Sequence, residues 1–172
     1  MSSPQYFTSY SPFSGVLSSQ SHYSQAVRIG DRIECSGQGN KYTPGTTTLN
    51  NIPPKLNKPC PPETGTIPSS LPAEIDLAFA NVDACLRSAS CGGPGPGGGS
   101  GSGWRQVYRV NLYTTVEMGE EMVAAWAACM RKWAGEDHRP LLTGVGVAAL
   151  AVPGMRVEIE VVAFAQGQSE GE

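Results

Sequence analysis

Of two carboxylates near the end of the chain, Glu158 and Glu160 in the run VEIEVVA, Glu158 is the candidate for chemistry and Glu160 is read as structural. Side chains alternate along a strand, so Val157, Ile159 and Val161 share one face and the two acids share the other. A carboxylate held on a sheet face can orient a water or take its proton; it can equally be a solvated or inter-subunit acid. The other reactive types are sparse. There are two histidines, His22 and His138, with no close cluster of histidine, cysteine and carboxylate, so no metal site is expected. The five cysteines (Cys35, Cys60, Cys85, Cys91, Cys129) are odd in number and form no C-x-x-C. Cys35, Cys85 and Cys129 sit in apolar periodic segments, where a reduced thiol packs as a small apolar residue, and this reading is preferred to a Cys–His nucleophile. Gly93, Gly95 and Gly98 satisfy G-x-G-x-x-G only because they lie in a polyglycine run that follows no strand, and no Gly-Lys-Ser/Thr follows them. No nucleotide site and no cofactor are expected.

The elements that must position the acids read as ββαβαββ. Residues 25–29 and 32–36 flank Gly30-Asp31, a type II′ hairpin signal. Residues 138–163 read as a second, longer hairpin turning at Pro153-Gly154. Between them, Ile75, Phe79, Val82, Leu86 and Ala89 recur at three and four residues within 73–89, the stripe of an amphipathic helix, with Pro72, Glu74 and Asp76 in its first turn. Residues 105–114 alternate as a strand, with Val107, Arg109, Asn111 and Tyr113 on one face and Tyr108, Val110 and Leu112 on the other. A second helix follows, with a capping box from Thr114 and Glu117, a buried stripe of Met122, Trp126, Cys129 or Met130 and Trp133, and Arg131 and Lys132 in its last turn. Residues 41–72, rich in proline, and 91–103, rich in glycine, are loop insertions; 1–22 is an N-terminal extension and 166–172 a disordered tail. That leaves a single domain over 23–165. Two helices cover only one face of a mostly antiparallel sheet. Val145, Val147 and Ala149 oppose Gly144, Gly146, Ala148 and Leu150, so the uncovered face is apolar enough to expect self-association.

At 172 residues, 40% of them hydrophobic, the chain is large enough for one well-formed core. Its formal net charge of −3 and the absence of a basic run argue against nucleic acid and anionic membranes as partners. No stretch approaches the roughly 20 apolar residues that span a bilayer, and the N-terminus has no leader-like apolar region. A soluble protein of the cytoplasm is expected, with the mitochondrion as the alternative.

The runs YSQAV and SGQ, a strand ending VAAL and a last strand VEIE resemble the reactive-intermediate deaminase family, also called YjgF-like, Rid, liver perchloric-acid-soluble protein or endoribonuclease L-PSP. EIDLAFANVDACL and VYRVNLYTT extend the likeness over about 23–163, apart from the two insertions. The resemblance implies an α+β, chorismate-mutase-like fold assembled as a homotrimer, with ligand clefts between subunits and hydrolysis of reactive enamines and imines. It further implies that Tyr23 (of YSQA), Gly37 (of SGQ) and Glu158 (first acid of VEIE, near the scissile C=N bond) line the cleft, with Glu158 and Tyr23 catalytic and Gly37 ligand-binding. For Tyr23 a packing role stands beside the catalytic one. Three other cleft positions depart from the family. The arginine that clamps a substrate carboxylate falls at Leu142, two residues after Pro140; the cleft asparagine falls at Met118 and a common cysteine at Gly144. Arg139 could replace the clamp only from a bent loop, because three residues along a strand reverse the face. Arg28, Arg32, Arg105, Arg109 and Arg156 are scattered over the strands with little aromatic interleaving, which leaves no ribonuclease footprint.

A bidentate arginine–carboxylate contact contributes about 1.5 to 3 kcal/mol, so its loss disfavours amino-acid-derived imines. The expectation is hydrolysis (deamination) or tautomerisation of a small, non-carboxylate enamine or imine metabolite. The alternative is a non-catalytic trimer that binds a small molecule or scaffolds a partner through the same cleft.

Overall fold

The computed structural model describes residues 2–10, 12–39, 67–90 and 103–165. Within them lie six strands, β1 (Gln5–Phe7), β2 (Ala26–Ile29), β3 (Arg32–Gln38), β4 (Val107–Thr114), β5 (Leu141–Gly146) and β6 (Val157–Phe164). Three α-helices accompany them, α1 (Pro12–Ser21), α2 (Leu71–Ser90) and α3 (Glu120–Ala134). The strands form one sheet in the order β1-β2-β3-β6-β4-β5, antiparallel at every pairing except the parallel β4–β5 pair. The molecule is thus α+β with a single mixed sheet.

The first hairpin forms as its turn residues dictate. Ile29 pairs with Arg32 across Gly30-Asp31, Gly30 has φ 60° and Asp31 does not share that positive φ. This is the type II′ pattern, which needs glycine at the first turn position alone. The expected second hairpin does not form. β4 lies between β5 and β6, and β5 runs parallel to β4 after the crossover through α3. Alternation marks a segment as strand but carries no information about its partner, and a parallel partner becomes reachable once about a dozen residues of crossover are present. Residues 147–150, expected to continue the strand, lie beyond its end at Gly146.

β4 also departs from simple alternation. Its register with β6 shifts between Val107 and Arg109, so Val107 lies opposite Ala163 and Val110 opposite Val161, all four buried. The extra residue returns Val107 to the core face with Val110 and Leu112, rather than to the face of Arg109, as bulges do. Tyr108, the displaced residue, stacks on Phe164 with ring centroids 4.8 Å apart.

In α2 the expected stripe is the core: Ile75, Phe79, Val82, Leu86 and Ala89 are completely buried. Trp104, in the short 3-10 turn Gly103–Gln106, stacks on Phe79 at 4.1 Å and donates its indole N–H to the Phe79 carbonyl at 2.9 Å. The helix begins at Leu71, so of the two acids expected in its first turn only Glu74 lies there, and both serve tertiary partners. Glu74 is fully buried and accepts from the backbone N–H of Arg156 (2.7 Å) and from its Nε (2.5 Å), while Arg156 also donates to the Pro68 carbonyl. Asp76 accepts from Lys132 Nζ and Trp133 Nε1 of α3. α3 begins later than its expected capping box. Its N-cap is Gly119, without a side-chain cap, and Thr114 instead ends β4, its Oγ1 accepting from the Val116 N–H. Met122 and Cys129 are buried, and Trp126, Met130 and Trp133 pack half-buried against the core. Arg131 and Lys132 occupy the last turn.

The described part of the stretch read as an N-terminal extension is built into the fold: β1 pairs with β2, and α1 follows it. Most of the two insertions and the tail 166–172 lie outside the described residues. No described helix is long and apolar enough to cross a membrane. The core lies between the helices and one sheet face; the other face presents Tyr6, Ile29, Phe164, Leu141 and Val145 to the exterior, interspersed with polar side chains.

Candidate functional site

Glu158 and Glu160 both leave β6 on the open face, as alternation requires, yet their surroundings differ. Glu160 accepts a hydrogen bond from the Tyr113 hydroxyl at 2.9 Å, and that bond to an anion raises the Tyr113 phenol above its ordinary value. Among the described residues no hydrogen bond or ion pair is directed at the Glu158 carboxylate. Tyr113 lies opposite Glu158 across the β4–β6 pair, and both acids are partly exposed.

The seat of Glu158 is made by a glycine. The register between β3 and β6 shifts between Cys35 and Gln38, and at this irregularity Gly37 lies under the Glu158 side chain. A Cβ on Gly37 would overlap Oε1 and lie 2.7 Å from Cδ and 2.9 Å from Cγ. The position needs glycine for space rather than for an unusual backbone angle, since its φ is not in the left-handed region.

Tyr23 joins this group. Burial raises its phenol pKa, the Glu158 charge raises it further, and a hydrogen bond from Gln25 opposes both. Gln25 Nε2 donates to Tyr23 Oη at 2.8 Å, so Oη accepts there and keeps its own proton to donate elsewhere. Behind Tyr23 the polar side chains continue inward. Gln38 Nε2 donates to Gln25 Oε1 (3.1 Å), and the Tyr10 hydroxyl donates to Gln38 Oε1 (2.7 Å). Both glutamines are 3% exposed.

The other three candidates form a second group. Gly144 and Leu142 are on β5, opposite Leu112 and Val110 of β4. A Cβ on Gly144 would lie 2.5 Å from the Met118 sulfur, so Met118 folds over the glycine. Leu142 is 43% exposed and Met118 41%, an accessible apolar surface on an edge strand. Leu142 and Gly144 share the face of Val110 and Leu112, whereas Glu158 shares the opposite face with Tyr113. One chain therefore brings Tyr23, Gly37 and Glu158 together and, separately, Leu142, Gly144 and Met118; it does not join the two groups. Arg139 is exposed and lies in the irregular stretch 138–140 ahead of β5, tethered through His138, whose ring nitrogen is 2.7 Å from the Val107 carbonyl. Among the described residues no group of three histidine, cysteine or acidic side chains gathers as a metal site.

The family model described as endoribonuclease L-PSP matches residues 15–165. The chain belongs to this family. Solved structures share the L-PSP fold along most of the chain. Rv2704 from Mycobacterium tuberculosis, described as a member of the YjgF/YER057c/UK114 family, is 22% identical, with a TM-score of 0.60 over 94% of this chain and 99% of its own. RidA from the Antarctic bacterium Psychrobacter sp. PAMC 21119 is 24% identical, with a TM-score of 0.54 over 83% and 87%. E. coli TdcF with bound serine is 20% identical, with a TM-score of 0.57 over 84% and 88%. No curated protein sequence matches the chain. At these identities the likeness establishes the fold. Within this L-PSP member, sequence reasoning passed over Gln25, Gln38, Tyr10 and Tyr113. Gln25, between Ser24 and Ala26, and Gln38, between Gly37 and Gly39, gave no local signal; their burial shows only in the fold, where a buried amide must find partners.

Proposed function

We propose that this L-PSP family member processes a small molecule, by hydrolysis or tautomerisation of a neutral enamine or imine, in a site shared between copies of the chain in a homotrimer. The observation that carries the reading is the Glu158 carboxylate, seated over Gly37 without a protein partner among the described residues, while its neighbour Glu160 is engaged by Tyr113. A carboxylate left open in a partly buried seat is suited to hold a water and take its proton. In hydrolysis the water oxygen bonds to the imine carbon, the C=N π pair moves to nitrogen, and nitrogen takes up a proton. Tyr23 is suited to supply that proton, because its Oη accepts from Gln25 and so keeps its own hydrogen to donate. Collapse of the carbinolamine forms the C=O bond and breaks the C–N bond: the proton held by Glu158 passes to the leaving nitrogen, the hydroxyl proton restores Tyr23, and ammonia is released.

The placement of Leu142, Gly144 and Met118 supports the shared site. They lie on an exposed edge, on the sheet face opposite Glu158, so a neighbouring copy is needed to bring the two groups together. Their apolar character supports a substrate without a carboxylate, and the Glu158 charge also disfavours an anion.

Ketone or aldehyde release from freshly generated neutral imines, compared with the anionic 2-aminoacrylate, tests this reading. Wild type is expected to favour the neutral substrates, Glu158→Gln to lose turnover, and Leu142→Arg to gain activity on 2-aminoacrylate. Efficient wild-type turnover of 2-aminoacrylate would overturn the restriction to neutral substrates. Undiminished ligand binding by Glu158→Gln, with no turnover by wild type, would establish the competing reading of a binding or scaffolding trimer.

A further inference from the structure

The chain of side chains behind Tyr23 has a direction, and the backbone sets it. Gln38 Nε2 donates to the Ser36 carbonyl at 2.9 Å, and Gln25 Nε2 donates to the Ser14 carbonyl at 3.2 Å and to Ser18 Oγ at 3.1 Å. Carbonyls only accept, so each contact identifies the NH2 end of its amide. A flip of either glutamine would set oxygen against carbonyl oxygen in a site that is 3% exposed. With both amides assigned, Gln25 Oε1 must accept from Gln38, and Gln38 Oε1 is the end that faces Tyr10. The Tyr10 hydroxyl is therefore the donor to Gln38, and Tyr23 Oη is the acceptor from Gln25.

We propose that Tyr10 is a positioning residue of the Glu158 half-site: by donating to Gln38 Oε1 its hydroxyl fixes the end of the Gln38–Gln25 pair that the Ser36 and Ser14 carbonyls do not hold, and so keeps Gln25 donating to Tyr23 Oη. The proposal rests on the reading of Tyr23 as a site residue. Tyr10 lies ahead of the 15–165 span matched by the family model, so the control comes from a segment this chain supplies outside that span. The segment is held independently of the tyrosine ring, by the pairing of β1 with β2 and by the Ser88 hydroxyl donating to the Ser9 carbonyl.

Tyr10→Phe keeps the ring and removes only the oxygen. NMR of protein labelled with 13Cζ-tyrosine, with the Tyr23 signal assigned through Tyr23→Phe, reads the state of the Tyr23 phenol without any substrate. Tyr10→Phe is expected to shift that signal and move its ionisation to higher pH, because the Gln25 bond that favours the phenolate loosens. In turnover of a neutral imine, kcat should fall about threefold to tenfold with KM little changed, the effect of weakening one hydrogen bond that acts in the transition state. Gln38→Met, of similar volume and unable to relay, should move the Tyr23 signal in the same direction. A Tyr23 signal and titration unchanged in both folded variants would overturn the proposal, even if their melting temperatures fall. The titration needs no activity, so an inactive wild type would sink the imine reading and leave this result to stand or fall separately.

Discussion

Gly37 is the residue whose chemistry is most tightly bound to its size. Even one methyl group there must displace the Glu158 carboxylate, since the nearest atoms are the acid's own oxygen and carbons. The acid side chain is partly exposed and can swing outward, so the cost falls on function more than on folding. Gly37→Ala is expected to reduce turnover or ligand binding to the level of Glu158→Gln while thermal unfolding moves by only a few degrees; retained activity would show that Glu158 does not work from this seat. Cys129 offers a prediction of a different kind. Burial, then the Asp76 charge, raise its thiol from 9.0 to about 11, against the opposing charge of Lys132. The folded state thus favours the neutral thiol. Its contribution to stability is complete below pH 9.0, where the unfolded thiol is also protonated, and is lost as pH rises towards about 11. Cys129→Ala should flatten the decline of urea-measured stability across that window, and an unchanged slope would show that the thiol titrates alike in both states. Tyr23, Tyr113 and Cys35 shift in the same direction and steepen the alkaline limb without reversing its sign.

Among the elements, α2 carries the fold. Its stripe meets β3 and β6 on one side, and Phe79 is held between Trp104 at 4.1 Å and Trp126 at 4.9 Å. Removing that ring leaves a cavity bounded by two large aromatics that cannot collapse into it. Phe79→Ala should cost about 3 to 5 kcal/mol in equilibrium denaturation. A loss below about 1 kcal/mol would mean that the cluster repacks. The two register shifts are the other decisive local features. The shift in β4 puts Val107 into the core, and that in β3 brings Gly37 beneath Glu158. Each is an extra residue in one strand opposite a regular partner, so neither is visible from the pattern of its own strand.

At the scale of the whole molecule, the open sheet face and the β5 edge are uncovered among the described residues. Tyr6, Ile29, Phe164, Leu141 and Val145 are exposed on that face, and every residue of β5 is exposed. Such surface is expected to be buried against further copies, and light scattering should find a trimer whose mass does not change with salt, since apolar contacts are weakly screened. A stable monomer would remove the basis for a shared site. The sharper measurement mixes two inactive variants. Glu158→Gln and Gly144→Trp damage different halves, so their mixed assemblies, formed by unfolding and refolding together, should regain part of the wild-type rate. A mixture as inactive as its parents would place both halves within one copy.

The amino-acid sequence by itself determined what depends on neighbours along the chain: the II′ turn at Gly30, the buried stripe of α2, and the alternation that sends Glu158 and Glu160 to the face opposite Val157 and Ile159. The motifs YSQAV, SGQ and VEIE also identified the family. Tertiary structure alone decided which strands are partners, because hydrogen-bonding edges are alike in every strand and β4 enters between β5 and β6 without a local signal. It alone decided that Glu158 stays open while Glu160 is held by Tyr113, since Tyr113 lies opposite Glu158 but reaches its diagonal neighbour Glu160. It also decided that Tyr10 reaches Tyr23, through two glutamines separated by 13 positions in the chain and joined only when β2 and β3 pair.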